Sequence, residues 1–391
     1  MNAHVAFVNL PAAGHVNPTL PLVAELLRRG HRVSYAVGRA LAPEVAGTGA
    51  QVVELPTEMV KPGRDTALDG KHIRMVLDFF CEDVRTSYPL LRKHFRDDPP
   101  DVVCADMMAP HGRMLAEELD VPAVVLQPSL ASNEHFSLRE AVPGAGQRFP
   151  REVVEEMSQR IDEVAAELGV RPVLPLQAPP GEANLVFVPR EFQPAGDTFD
   201  GRYHFLGPML GDRDQQPWQP RRADAPLLYI ALGTAFNDRP DFYRTCLSAF
   251  ADSPWQVAMS IGEQVQASEL GAIPDNVEVR ASFPQPAVLR HASVFVSHTG
   301  MNSTMEALHA GVPLVAVPQM PEQAVNAARV DELGLGRRLD PATVTAEQLR
   351  TAVDEVAADT GIRANLERMR QTLRSCGGAA AGADVVEAQL G

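Results

Sequence analysis

Cysteine is scarce in this 391-residue chain. The four residues, Cys81, Cys104, Cys246 and Cys376, lie far apart with no C-x-x-C pair. That excludes a zinc site or a disulfide framework as the organising device and makes a reducing, cytoplasmic location the default expectation. Positive charge is also short: 35 Lys plus Arg stand against 50 Asp plus Glu, a formal net charge of −15. A surface of that sign is not built to neutralise nucleic-acid phosphates or anionic membranes, although one local basic pocket could still hold a small phosphate. Long apolar runs are missing too, none approaching the roughly 18 residues that a membrane span needs. The opening MNAHVAFVNLPAAGHVNP has no positively charged n-region and few apolar residues before Pro11, which argues against a signal peptide. What remains is ordinary globular material, 45% hydrophobic and 22% charged, enough for large cores. At about 150 residues per domain, the length favours two domains.

The hydrophobic pattern points to α/β architecture. HVAFVNL reads as a strand, and Leu20 to Arg29 as an amphipathic helix with Leu20, Val23, Ala24 and Leu27 on one face. Gly30 is placed as the helix stop before a second strand, HRVSYAV, which completes a βαβ unit. DVVCAD (101–106), VPAVVLQP (121–128) and LVFVPR (185–190) are nearly all apolar and bounded by turn residues, as buried parallel strands are. From 206 to 225 the text becomes rich in Pro, Gly and charge without periodicity, which reads as a linker. After it the alternation restarts with PLLYIALG, WQVAMSIG, NVEVRASF, SVFVSH and VPLVAVPQ as strands, and with helices over Phe242–Ala251 and Ser303–Ala310. The expected organisation is therefore a first domain over 1–208, a linker over 209–224 and a second α/β domain over 225–370. A final helical segment, 371–391, completes it. Ligands of open α/β sheets sit beyond the carboxyl ends of the strands, so the loops after each strand are where chemistry is expected.

In the loop after the first strand His15 is flanked by small residues, with a helix start expected at Asn17-Pro18. An imidazole titrates near neutrality and could take a proton from a hydroxyl, but read alone a histidine here is more often a loop or capping residue. Asp106 ends the strand DVVCAD, where it could orient an imidazole or cap the following helix. In the second half Gly233-Thr234 follows one strand, and Ser297-His298-Thr299-Gly300-Met301-Asn302-Ser303-Thr304 follows another and leads into a helix. Backbone N–H groups at such a helix start make an anion site that needs no lysine, and a diphosphate fits it. A plain Ser/Thr-rich cap has the same chemistry, and Glu306, three residues after Ser303, could close a capping box or accept from ribose hydroxyls. Glu322 and Gln323 offer an acid and an amide to a polyhydroxylated ligand, or simply a charged helix start. Neither G-x-G-x-x-G nor a Walker A sequence is present at these loops, which counts against dinucleotide and P-loop readings.

Together these elements resemble the family 1 glycosyltransferases, in particular the bacterial macrolide type, from Phe7 to the C-terminal residues. The resemblance is carried by GHVNP (14–18), ALGTAF (231–236), DFYRTCLSAF (241–250), PDNVEV (274–279), PQ (284–285) and HTGMNSTMEALHAGVPLVAVPQMPEQAVNAARV (298–330). It implies a GT-B fold of two facing Rossmann-like domains, with the acceptor on the first and a UDP-sugar co-substrate on the second. The final segment would pack back on the first domain. It further implies His15 as general base with Asp106 as its partner. Gly233, Thr234, His298, Gly300, Met301, Asn302 and Ser303 would hold the diphosphate, Phe283 and Gln285 lie at the nucleoside, Glu306 would hold the ribose, and Glu322 with Gln323 the sugar hydroxyls. That last pair is similar to the glucose-using members. Ser282 departs from the family, many of whose members place a stacking tryptophan there. Phe283 is the candidate substitute, and UDP or TDP stays open. No cofactor and no metal are implied, since no D-x-D motif sits at a matching loop.

The acceptor is expected to be a hydrophobic hydroxylated natural product such as a macrolide or a flavonoid. Met75, Phe79, Phe80, Met107, Met108, Phe136 and Phe149 are candidates for its pocket, although such residues are more often plain core. Rival readings keep the fold but change the class: a sugar epimerase, a retaining transferase, or a silent nucleotide-binding helper. The oligomeric state is not read from the sequence, and a homodimer stays open.

Overall fold

A computed structural model describes residues 2–59, 70–142, 151–173, 181–211 and 216–391. The expected strands form because apolar, β-branched runs can bury both faces only when helices cover both sides of a parallel sheet. In the first half His4–Val8 (β1), Arg32–Gly38 (β2), Gln51–Leu55 (β3), Val102–Asp106 (β4), Ala123–Gln127 (β5), Ala183–Val186 (β6) and Tyr203–Phe205 (β7) pair in parallel. Their order is β3-β2-β1-β4-β5-β6-β7. In the second half Leu227–Ala231 (β8), Gln256–Ser260 (β9), Val277–Arg280 (β10), Ala292–Ser297 (β11), Leu314–Ala316 (β12) and Gly336–Arg338 (β13) form a parallel sheet ordered β10-β9-β8-β11-β12-β13. The α/β reading therefore holds in both halves, each Rossmann-like. The strands that the hydrophobic pattern misses lie at or next to sheet edges: β3 alternates polar with apolar, β7 is three residues long, and β13 exposes Arg337 and Arg338.

Two compact units result. The described residues through Met209 form the first together with Cys376–Gly391, and Leu210–Ser375 form the second. Within the stretch read as linker, Trp218 is buried in the second unit, its ring 6.3 Å from that of Phe283 and 5.8 Å from that of His291. Residues 212–215 of that stretch lie outside the described residues. Among the described residues no helix is long and apolar enough to cross a membrane.

The helix Leu20–Arg28 stops where Gly30 takes a φ of +92°. Its buried face is Leu22, Val23 and Leu26, with Leu20 and Leu27 partly buried and Ala24 exposed, a correction to the face expected from periodicity. The reason is a second covering layer. The C-terminal helix Gly378–Glu387 packs Ala383 and Val386 into the same core, and Arg29 Nη1 donates to Asp384 (2.6 Å) and Glu387 (2.7 Å).

In both sheets the chain order reverses at the centre. From β1 it proceeds to β2 and β3 on one side, and returns at β4 on the other; β8 and β11 repeat the arrangement. Crevices at such switch points are where ligands of open α/β sheets bind. In the first unit the helix Pro110–Leu119 lies against this point, and a Cβ added at Gly112 would stand 2.9 Å from both Val8 Cβ and Ala105 Cβ. Gly112→Val should therefore destabilise the protein by about 1–3 kcal/mol through overpacking. A lowered denaturant midpoint at unchanged slope checks it.

Candidate functional site

In the first unit β1 and β4 are paired, Val8 opposite Ala105, so the loop after β1 and the end of β4 must meet. There His15 Nδ1 lies 2.7 Å from Asp106 Oδ2. The carboxylate is buried, while the imidazole keeps 24% of its side-chain surface exposed. Asp106 orients the imidazole and does not cap the helix Pro110–Leu119, which starts at Ala109 with no side-chain cap, a correction to the capping alternative; its other oxygen, Oδ1, accepts from Met108 N–H at 2.7 Å and shapes the turn before that helix. The chain around His15 is already helical from Ala13 to Val16, earlier than the helix start expected at Asn17, and the His15 N–H donates to the Ala12 carbonyl. Sequence reasoning missed two supports. Buried Asn9 donates Nδ2 to the His15 carbonyl at 3.1 Å. Thr19 Oγ1 and the Tyr35 hydroxyl pair at 2.7 Å beneath the turn, and burial holds the Tyr35 phenol far above its ordinary pKa. The signal for both was polarity within an otherwise apolar run.

In the second unit β11 pairs with β8, Ser297 opposite Ala231, which brings Gly233-Thr234 beside the loop His298–Gly300. The His298 imidazole is buried where a Cβ on either Gly233 or Gly300 would fall on its Nε2. Gly233 also has a φ of +79°, so two independent constraints select glycine there. Burial pushes the His298 pKa down to about 4, with the Ala231 carbonyl working in the opposite direction. The ring is neutral at pH 7, and its buried Nδ1 has no hydrogen-bond partner among the described residues. Thr299, next in sequence, is a β-branched residue at φ +59°, a conformation costing about 1–2 kcal/mol. It is held by its N–H donating to Ser297 Oγ (3.0 Å), by its hydroxyl donating to the Gln323 carbonyl (2.9 Å), and by Asn326 Nδ2 donating to its carbonyl (3.0 Å). The helix Met301–Ala310 then begins at Gly300 with no side-chain cap, so its N-terminal dipole end is not closed by Ser303.

The capping-box alternative for Glu306 is thereby corrected. Glu306 is buried within the helix and accepts from Gln285 Nε2 at 2.7 Å, and the same amide donates to Ser303 Oγ at 3.0 Å. Gln285, Ser303 and Glu306 are thus brought together. Gln323 is joined to the adjacent loop, its Oε1 accepting from Gln319 N–H at 2.8 Å, and Gln319 Oε1 in turn accepts from Arg239. Arg239 and Asn237, which donates to the Gly233 carbonyl at 2.7 Å, were not anticipated from sequence. Glu322 and Thr234 are exposed, Asn302 is half-buried, and Met301 points into the core.

Phe283 is buried, its ring edge-on to both Trp218 and Tyr229. It therefore cannot offer a face to a base, which corrects its reading as the stacking substitute. Of the acceptor candidates, Met107 and Met108 are half-buried beside Asp106 and Phe136 is half-buried. Met75 is exposed, Phe79 half-buried, and Phe80 buried, as core is. Phe149 lies outside the described residues.

A histidine whose folded pKa is depressed stabilises the fold fully above its unfolded value near 6.5, and that stability is lost as pH falls toward 4, because the unfolded chain binds the proton first. His298→Gln should remove on the order of 3 kcal/mol of pH dependence across that window. Denaturant titrations of both proteins at pH 7, 5.5 and 4.5 check it. Parallel curves would mean that His298 is not buried neutral.

Comparison with known proteins places this geometry in a family. Residues 245–381 match the family model for the erythromycin biosynthesis protein CIII-like C-terminal domain. The chain is 39% identical to the NDP-glycosyltransferase YjiC of Bacillus licheniformis, covering 99% of this chain and 98% of that protein. It is 41% identical to the demethyllactenocin mycarosyltransferase of Streptomyces fradiae, covering 99% and 87%. Among solved structures, the calicheamicin glycosyltransferase CalG4 superposes with a TM-score of 0.85 at 38% identity, covering 100% of this chain and 98% of that one. Full-length identity at this level, with paired switch-point loops in both sheets, places the chain in the bacterial macrolide-type family 1 glycosyltransferases, sugar-transferring enzymes of the GT-B fold.

Proposed function

We propose that the protein moves glucose or a related hexose from a UDP-sugar to a hydroxyl of a hydrophobic natural product, with inversion at the anomeric carbon. The observation that carries this reading is the 2.7 Å contact between His15 and the buried Asp106 at the first switch point. With Nδ1–H donating to the carboxylate, Nε2 bears the lone pair and is the atom that takes the acceptor's proton. The acceptor oxygen then attacks the anomeric carbon as the carbon–phosphate oxygen bond breaks, and UDP leaves with the electron pair. Asp106 stabilises the imidazolium formed in that step. The uncapped start of the helix Met301–Ala310 and the neutral His298 would stabilise the departing diphosphate without a metal. Glu306, held by Gln285, would accept from the ribose, and Glu322 with Gln323 from the sugar. The named relatives support a natural-product acceptor, since one acts on demethyllactenocin and one on calicheamicin.

His15→Ala should lower kcat by about a hundredfold or more while leaving UDP binding unchanged, the difference between losing a base and losing a site. Turnover and calorimetry on the same preparations check it, and equal rates would remove His15 from the mechanism. A mixed macrolide and phenol panel, read by mass spectrometry with UDP-glucose and TDP-glucose side by side, should yield hexosylated product with the UDP-sugar preferred. The anomeric proton of that product should show the β configuration. An α product would point to a retaining mechanism, and no product from any pair would sink the acceptor assignment.

A further inference from the structure

With Phe283 buried and Ser282 too small to stack, neither position offers a nucleobase an aromatic face, yet the same corner of the second unit presents another plane. Arg280, the last residue of β10, lays its guanidinium over the Phe283 ring, 4.9 Å from the centroid. Its Nε donates to Glu278 Oε1 at 2.7 Å, and Glu278 is shared with Arg221, whose Nε lies 3.2 Å from the other oxygen. The Phe283 ring beneath it is in turn wedged against Trp218 and Tyr229. An arginine side chain on a surface ordinarily samples many rotamers. This one is fixed by a carboxylate and by an immobile ring, while 51% of its side chain stays open to solvent. Ala281 and Ser282, which follow it, are exposed and small, so they leave its outer side uncovered.

The location fits a nucleoside. Arg280 sits at the carboxyl end of its strand, paired in register with Ser260. From it the aromatic row Phe283, Tyr229 and Phe295 runs back across the sheet, with centroid spacings of 6.2 Å and 4.9 Å. Phe295 and Tyr229 are paired in β11 and β8, and β11 leads into the helix Met301–Ala310 that carries Glu306. The elements that carry the proposed ribose carboxylate and the exposed guanidinium thus stand at the two ends of one row of rings.

We propose that Arg280 is the nucleobase platform of this enzyme, its guanidinium plane, backed by Phe283, stacking on the pyrimidine of the donor. The proposal rests on the nucleotide-sugar reading above. A guanidinium stacks on any planar base and asks little of its substituents, so it would accept uracil and thymine alike. The same chain would then serve UDP- and TDP-sugars with less discrimination than a shaped pocket gives.

The test is calorimetric binding of UDP, TDP and inorganic pyrophosphate to the full-length protein. Arg280→Ala should weaken UDP and TDP together by about tenfold and leave pyrophosphate unchanged, because only the base is lost. Arg280→Lys, which keeps the charge but not the plane, should recover little, and adding Ser282→Trp to Arg280→Ala should restore most of the affinity. Equal UDP affinity in wild type and Arg280→Ala, full recovery by lysine, or a parallel loss of pyrophosphate would each overturn the platform. Failure of the wild type to bind either nucleotide would instead overturn the donor reading itself.

Discussion

The parallel pairing of the central strands is the constraint on which the rest depends. Chain order reverses between β1 and β4 and again between β8 and β11, so neither crossover helix covers the carboxyl ends at those points. Because Val8 stands opposite Ala105 and Ser297 opposite Ala231, loops that are far apart in sequence are forced together. His15 and Asp106, 91 residues apart, reach hydrogen-bond distance through that register. Gly233 and His298 do the same in the second sheet, where the imidazole occupies the space that a glycine without Cβ leaves.

An acidic chain that must hold an anion has a particular electrostatic problem. The site proposed above uses little formal positive charge. His298 is neutral at pH 7 because burial removes the water that would stabilise its charged form. What remains is the dipole of a helix start, and hydroxyls and amides held by one another. Such groups are arranged before the ligand arrives, so little reorganisation accompanies the development of charge on a leaving group. The strained Thr299 belongs to the same economy of placement. Its bonds to the Gln323 carbonyl and from Asn326 Nδ2 tie its loop to the helix that carries Gln323, so the elements proposed for the diphosphate and for the sugar hold each other in position.

The strand pattern was legible where strands are buried on both faces, since mostly apolar residues suit such positions. It was illegible at β3, β7 and β13, which lie at or near the sheet edges and are short or half-exposed. The face of the helix Leu20–Arg28 was misread because periodicity identifies one apolar stripe, and this helix is covered from two directions, one of them by residues more than 350 positions away. Asn9, Asn237 and Arg239 escaped notice for a related reason. A lone polar residue in a loop has no periodicity, and its partner is known only once the chain has folded.

The amino-acid sequence by itself determined the alternation of strands and helices and the residue types placed after each strand. Those follow from local propensity, hydrophobic period and composition, which act between near neighbours. Tertiary structure alone decided that Asp106 both shapes its own turn and holds His15, that Glu306 answers to Gln285 instead of capping its helix, and that Phe283 is a support whose exposed surface is Arg280. Each of these depends on which side chains a parallel register brings within a few ångströms, and on how deeply packing removes them from water.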